Sequence, residues 1–410
     1  MLYREMGKTG IKISVLGYGC LRYPQKNGKI DEERAERQII SAIEKGVNYF
    51  DTAYIYNGGK GEGVLGRILA KGFRDKVYIA TKLPPYLVNS QKDMENILET
   101  QLKRLCTDRI EFYLIHGLND YEGWRRLRNL GVEEFFSKAK SQGKVKFLGF
   151  SYHGEKEEFK KIVDDYPWDF CQIQYNYLDE NNQAGRTGLE YAASKGLGVV
   201  IMEPLRGGSL AGEVPKEIEG IFNKAETKRS PAEWALRWIW NQPGVTMLLS
   251  GMNEESQIEE NVSIADNAYP NTLNEKELGL IEEAKHQYRK LMKVGCTGCS
   301  YCMPCPAGVD IPTCFSYYNT VHLFKKKRAR LQYMAFLRNT TGGKPSHAAL
   351  CKDCGKCEKV CPQHIKIREE LKNVSKDMDI PILIPAIWLL RKYLSFRSRL
   401  KGAGQSSKDK

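Results

Sequence analysis

The chain has 410 residues and is 41% hydrophobic, too long and too apolar to lack a core; one large folded unit and a second small one are the expectation. Its charge is uneven: residues 293 to 410 hold 22 Lys+Arg against 8 Asp+Glu, and residues 1 to 292 carry a balance of −1. No base-reading motif accompanies the basic run Lys325 to Arg330, which argues against nucleic acid, and the start Met-Leu-Tyr-Arg-Glu carries no apolar signal segment, which points to a reducing cytoplasm and away from disulfides.

In chain order, Tyr3 to Ser14 predicts a hairpin turning at Gly7 to Gly10, placed to cap a barrel's bottom. Eight strand-like runs then alternate with amphipathic helical runs: Val15 to Gly17, Tyr49 to Asp51, Val77 to Lys82, Phe112 to His116, Lys146 to Ser151, Phe170 to Tyr175, Val199 to Glu203 and Met247 to Ser250. Asp31 opens a helix that Gly46 closes, Ser90 with Asp93 caps another, and Ser230-Pro231 with Glu233 starts a third. This alternation predicts an α/β protein, a (β/α)8 TIM barrel, over residues 1–292. An open doubly wound sheet explains the same alternation, but no G-x-G-x-x-G follows the first strand.

Asp51, Lys82 and His116 end the second, third and fourth strands, and Tyr56 lies five residues past Asp51. A parallel barrel brings all four to one rim. A phenol near pKa 10 is a poor acid at neutral pH unless a cation stabilises its phenolate; Lys82 supplies that cation, Asp51 holds it, and His116 orients a carbonyl. Taken singly, each residue is equally well a satisfied polar strand end.

Together the segments NYFDTAYIYNGGKGEGVLG, IATKLP, YLIHG, GKVKFLGFSYH and QIQYNYLD resemble, in order, the blocks of the aldo-keto reductases, from about Val15 to Asn261. The resemblance implies hydride transfer between NAD(P)H and a small aldehyde, ketone or alcohol, with Tyr56 as proton donor and Asp51, Lys82 and His116 completing a catalytic tetrad. It further implies that Ser151 and Gln172 contact the nicotinamide carboxamide, that backbone from Leu205 through Gly207 to Leu210 covers the pyrophosphate, and that Glu260 and Asn261 contact adenine. The chain departs from the family pattern at Met202, where a tyrosine usually stacks on the nicotinamide, at Tyr152, which replaces an asparagine, and at Gly251 and Gln257, where Lys and Arg usually neutralise a 2′-phosphate.

Eight of the twelve cysteines form two runs, Cys296, Cys299, Cys302, Cys305-Pro306 and Cys351, Cys354, Cys357, Cys361-Pro362. Two residues between ligands put successive thiolates on adjacent corners of a 4Fe-4S cube, and the closing proline turns the chain away. Zinc takes four ligands in two separated pairs, unlike three evenly spaced cysteines and a fourth before proline. The segment from Val294 to Lys372 resembles two-cluster ferredoxin domains, namely the iron-sulfur extension on one branch of the aldo-keto reductases. That likeness implies two 4Fe-4S clusters with crossed last ligands: Cys296, Cys299, Cys302 and Cys361 on one, and Cys351, Cys354, Cys357 and Cys305 on the other. The first run is one residue shorter than usual before Cys305, and Cys314 stands close enough in sequence to substitute. For Cys20, Cys106 and Cys171 the default is a buried small hydrophobe.

Phe315 to Leu337 is basic and helix-compatible, so residues 293–372 predict a small, mainly helical ferredoxin-like iron-sulfur domain, followed by a basic tail at 373–410. In that tail Ile380 to Leu390 is too short for a bilayer span; packing on the protein itself is favoured over an anionic membrane surface. The positive charge of this third either offsets anionic clusters or forms a docking face for an acidic electron carrier. Because a hydride moves two electrons and each cube accepts one, coupling the two halves calls for a converter, either a flavoprotein partner or a further cofactor in the barrel without a visible motif. The alternative to a carbonyl oxidoreductase is an electron-transfer or redox-sensing module with a largely non-catalytic barrel; structural clusters are a third option.

Overall fold

The computed structural model describes residues 1–338 and 344–380. Twelve strands run β1 (Tyr3–Glu5), β2 (Lys12–Ser14), β3 (Leu16–Gly19), β4 (Gln25–Lys26), β5 (Lys29–Ile30), β6 (Tyr49–Asp51), β7 (Tyr78–Leu83), β8 (Ile110–Leu118), β9 (Val145–Tyr152), β10 (Phe170–Gln174), β11 (Gly198–Met202) and β12 (Met247–Ser250). Eight of them close into a barrel in the order β10-β11-β12-β3-β6-β7-β8-β9, with parallel pairing. All eight expected strands are present, within a few residues of their predicted limits.

The helix signals hold in detail. Asp31 accepts from the backbone N–H of Arg34 at the head of Glu32–Glu44, Ser90 and Asp93 form a reciprocal capping box on Gln91–Arg104, and Ser230 accepts from the N–H of Glu233 before Pro231–Trp240. The hairpin β1-β2 pairs Tyr3 with Ser14 and seats Met6 and Ile13 in the barrel floor beside Tyr49, Ala80, Phe112 and Phe170. Its turn requires glycine: Gly7 has φ +53, and a Cβ there would stand 2.3 Å from the Gly198 nitrogen at the start of β11. The β4-β5 ribbon was not anticipated, although its turn, Asn27-Gly28, has the two positive-φ residues of a tight hairpin.

The floor and the rim follow from one periodicity. Side chains two apart on a strand share a face, so the alternation that buries Tyr49, Ala80, Phe112 and Phe170 in the floor aims Asp51, Lys82 and Gln172 inward two residues further along, and His116 four further.

The chain divides into two compact units, one of Met1–Gly212 with Thr227–Ile281, the other of Glu213–Glu226 with the chain from Glu282 onward. The division falls inside the helix Glu275–Leu291 instead of after residue 292, because Glu213–Glu226 joins the second unit through Lys224–Glu283 (2.6 Å), Lys325–Glu217 (2.6 Å) and Lys326–Glu213 (2.5 Å).

The second unit is mainly helical. Ile311–Phe324, Lys327–Leu337 and Ile367–Met378 surround a core that includes Val294, Phe315, Tyr333, Met334, Leu371 and Val374. The helix-compatible segment from Phe315 to Leu337 forms parts of two helices that meet at Lys325, which adopts φ +52. The tail from residue 381, which includes the apolar run expected to pack or touch a membrane, lies outside the described residues. Among those described, no helix is long and apolar enough to cross a membrane.

Candidate active site and cysteine centres

Asp51 closes β6, Lys82 lies one residue before the end of β7, and His116 lies near the end of β8, so three consecutive barrel strands carry them to one rim. The short link after β6 returns Tyr56 over them as the first residue of a helical turn. All four residues are buried. Lys82 Nζ donates to Asp51 Oδ1 at 2.6 Å, to the Thr52 carbonyl at 2.7 Å and to the Tyr56 hydroxyl at 3.4 Å, which uses its three donors. The His116 ring meets the Tyr56 ring edge-on, centroids 5.9 Å apart at 81°.

The electrostatics correct one expectation. Burial, followed by the charge of Asp51 and then Cys20 and Glu203, pushes the Tyr56 phenol well above its ordinary 10. A neighbouring ammonium alone is expected to lower it. The ammonium at 3.4 Å does favour the phenolate, but Asp51 already neutralises it at 2.6 Å, and Tyr56 is buried. Burial likewise pushes the Asp51 carboxyl up and the Lys82 ammonium down, and their attraction opposes both shifts. Burial, then the charge of Lys82, then His153, holds His116 well below 6.5, so its ring is neutral; its Nδ1 has no hydrogen-bond partner among the described residues.

Ser151 on β9 and Gln172 on β10 are register partners. The Ser151 hydroxyl oxygen accepts from the Gly117 N–H at 2.7 Å, which leaves its proton available to donate, and the buried Gln172 Oε1 has no partner among the described residues. A donor beside an unanswered acceptor fits a primary carboxamide. After β11, the turn Leu205–Gly207 is tied down: Gly207 has φ +70 and its carbonyl accepts from Arg22 at 2.8 Å, while buried Arg206 pairs with Asp179 at 2.9 Å. Asn261 is buried and donates to Ser250 Oγ at 3.1 Å; Glu260, on the same helix, is exposed.

Sequence reasoning gave no role to Glu203 or His153, whose charges act on Tyr56 and His116, and expected Cys20 to be a buried small hydrophobe. Cys20 is buried, and its thiol is pushed up to about 12, chiefly by burial. Glu203 follows β11 in a positive-φ conformation, a loop geometry with no signature in the residue type. Cys171 is buried as expected, whereas Cys106 is exposed, because it occupies a positive-φ turn just past the helix Gln91–Arg104 instead of packing.

In the second unit, Cys296, Cys299, Cys302 and Cys361 line one cavity, together with apolar residues that include Ile311, Phe315 and Ile367 and with the polar Thr297, Ser300 and Gln363. Three thiols of the first run thus meet the last thiol of the second. Burial, then Cys299, Cys296 and Cys361, pushes the Cys302 thiol up to about 12, as expected of sulfurs gathered without a cation. The Cys357 thiol is also raised, first by burial, with Cys351 and Cys305 among the causes, so the last cysteine of the first run stands near the second run. Cys314 is fully buried in the first turn of its helix and directs its thiol to the Ser346 carbonyl at 3.7 Å. Among the described residues no three His, Cys, Asp or Glu side chains close on a point as ligands of a single ion would. A wall of four sulfurs in mostly apolar surroundings has the chemistry of an iron-sulfur donor set.

The sequence profile of the aldo/keto reductase family matches residues 15–285, two thirds of the chain, and that of the 4Fe-4S dicluster domain matches residues 295–365. The chain belongs to the aldo/keto reductase family. It is an oxidoreductase of that family with a C-terminal iron-sulfur domain. Relatives include the oxidoreductase YrpG of Bacillus subtilis, 28% identical over 65% of this chain and 91% of that protein. The L-glyceraldehyde 3-phosphate reductase of Escherichia coli K12 is 26% identical over 69% of this chain and 92% of that one. Among solved structures, the aldo-keto reductase AKR11C1 of Bacillus halodurans superimposes with a TM-score of 0.57 at 24% identity, covering 69% of this chain and 96% of that one, and it supports the barrel fold.

Proposed function

We propose that the protein is an NAD(P)-dependent oxidoreductase that reduces an aldehyde or ketone, or oxidises the corresponding alcohol, and that couples this reaction to two 4Fe-4S clusters. The observation that carries the reading is the Lys82 ammonium, in contact with both Asp51 and the Tyr56 hydroxyl. Tyr56, its proton held firmly in the resting site, donates it to the carbonyl oxygen as negative charge develops there. Lys82, held by Asp51, stabilises the phenolate left behind, and neutral His116 offers a ring N–H to orient the same oxygen. The Ser151 hydroxyl donates to a carboxamide oxygen and Gln172 Oε1 accepts from its amide. Leu205, Gly207, Glu260 and Asn261 are proposed to follow the rest of the dinucleotide. A bound reduced nicotinamide supplies the hydride.

Cys296, Cys299, Cys302 and Cys361 are proposed to hold one cluster, and Cys305, Cys351, Cys354 and Cys357 the other. The clusters supply one-electron chemistry, a flavin-bearing partner would convert between electron pairs and single electrons, and an electron carrier would exchange single electrons with the clusters. Carbonyl chemistry is assigned to residues 1–292 and electron chemistry to residues 293–372, in the cytoplasm, where thiolates stay reduced. The test is anaerobic turnover with NADH or NADPH and a panel of aldehydes. Tyr56→Phe is expected to lower kcat by about 10²- to 10⁴-fold with iron content unchanged; a Tyr56→Phe protein as fast as the parent overturns the assignment.

A further inference from the structure

The two cysteine runs differ in charge. No charged residue lies between Cys296 and Cys305, and that run lines the apolar cavity. Between Cys351 and Cys361 stand Lys352, Asp353, Lys356, Glu358 and Lys359. The two carboxylates are already engaged from the helix that follows: Arg368 holds Glu358 at 2.8 Å, and Lys372 holds Asp353 at 3.0 Å with Arg368 at 3.5 Å. Lys352, Lys356 and Lys359, with Lys366 just beyond, are exposed and pair with no carboxylate among the described residues. In the same run Cys354 is exposed, and Val360 leaves half of its surface, 50%, in water.

We propose that the face of Lys352, Lys356, Lys359, Lys366 and Val360 around Cys354 is the docking surface for an acidic one-electron carrier protein. This rests on the reading of Cys305, Cys351, Cys354 and Cys357 as the ligands of one cluster. Electron transfer weakens steeply with distance, so a ligand sulfur at the surface marks where an electron enters or leaves. One electron passes between cluster and carrier, one partner being oxidised and the other reduced, with no bond made or broken. An exposed valine in the same short stretch of chain as four exposed ammonium groups suits a small, short-lived encounter steered by opposite charge. The engaged carboxylates matter here: with Asp353 and Glu358 answered by Arg368 and Lys372, they do not cancel the lysines facing outward.

The test uses the full chain, purified anaerobically with its iron content measured, and an acidic flavodoxin as probe. Binding is followed by calorimetry at low salt. Electron transfer is followed by stopped flow from protein reduced beforehand and freed of reductant. The triple variant K352E/K356E/K359E is expected to bind flavodoxin about 10- to 100-fold more weakly and to transfer electrons more slowly by a similar factor, both effects shrinking as salt is raised. A second triple, K12E/K103E/K290E, makes the same change in net charge at exposed lysines elsewhere and is expected to stay within about threefold of the parent at the same salt.

Equal weakening by both triples overturns the face, because net charge alone then explains the binding. So does unchanged affinity in the first triple with full iron content. A DNA duplex bound more tightly than flavodoxin, and lost in the same variant, assigns the lysines to another polyanion and also overturns it. A parent chain that keeps only one cluster's iron and loses none on Cys354→Ser removes the ligand reading itself, whereas full iron with no flavodoxin binding by the parent removes the docking face alone.

Discussion

In the barrel, the charge of Lys82 is answered on the spot by Asp51, a carbonyl and a phenol. In the cysteine-bearing unit, four thiols line an apolar cavity whose wall carries no Lys or Arg. The Lys82 charge of the barrel site is therefore balanced by the site's own groups, while His116 Nδ1 and Gln172 Oε1 have no partner among the described residues. The cysteine site is a set of would-be anions that metal must balance. The two should respond differently to losing one member.

Lys82→Met tests the barrel half with the largest effect. It strands the Asp51 carboxyl at 2% exposure with no cation, and removing one partner of a buried pair costs about 3–5 kcal/mol. Activity is expected to fall by about 10³-fold or more as the phenolate loses its support. Adding Asp51→Leu removes the stranded charge, so denaturant unfolding should recover most of the stability while kcat/KM stays low. A Lys82→Met protein as stable as its parent would break the comparison, since the pair would then be no self-contained device.

The cysteine half is tested by substituting Cys361, the thiol that the second run contributes to the first run's cavity. Cys361→Ser is expected to cost about one cluster, or half of the iron, with the barrel's carbonyl activity retained when an aldehyde and reduced nicotinamide are supplied directly. Cys305→Ser should behave alike at the other cluster. Cys314→Ser should keep all the iron, because that thiol is spent on the Ser346 carbonyl. Iron analysis with electron paramagnetic resonance separates the three, and iron lost from Cys314→Ser but not from Cys305→Ser would exchange their roles.

The same contrast explains what could be read before the structure. Asp51, Lys82 and His116 were legible because strand alternation is rigid: an inward polar residue above an inward apolar one has to sit at the rim. The cysteine spacing was legible because it encodes a cluster's edge length directly. The sign of the Tyr56 shift was not, since it depends on how deeply the hydroxyl is buried and on Glu203 and Cys20, brought near by loops of unrelated sequence position. Nor was the turn at Lys325, where no glycine or proline announces the left-handed residue between the two helices of the basic segment. The Asn27-Gly28 ribbon carried a usable signal, but its strands are two residues long and show no alternation.

The smallest effect sharpens the barrel half through its proton inventory. His116 has its folded pKa well below 6.5, by burial first and the charge of Lys82 second, whereas in the unfolded chain it returns to about 6.5. Below that value the unfolded chain binds a proton that the folded chain refuses, so this contribution is fully present above about pH 6.5 and is lost as the pH falls. Between about pH 7 and about pH 5.5 the loss amounts to about 1 kcal/mol. His116→Asn keeps a polar side chain but cannot titrate, so the parent should lose about 1 kcal/mol more than the variant over that range. Carboxylates elsewhere, common to both proteins, cancel in the difference. Parallel pH profiles would mean that His116 takes up its proton as readily in the folded barrel as in the unfolded chain, against both burial and the Lys82 charge.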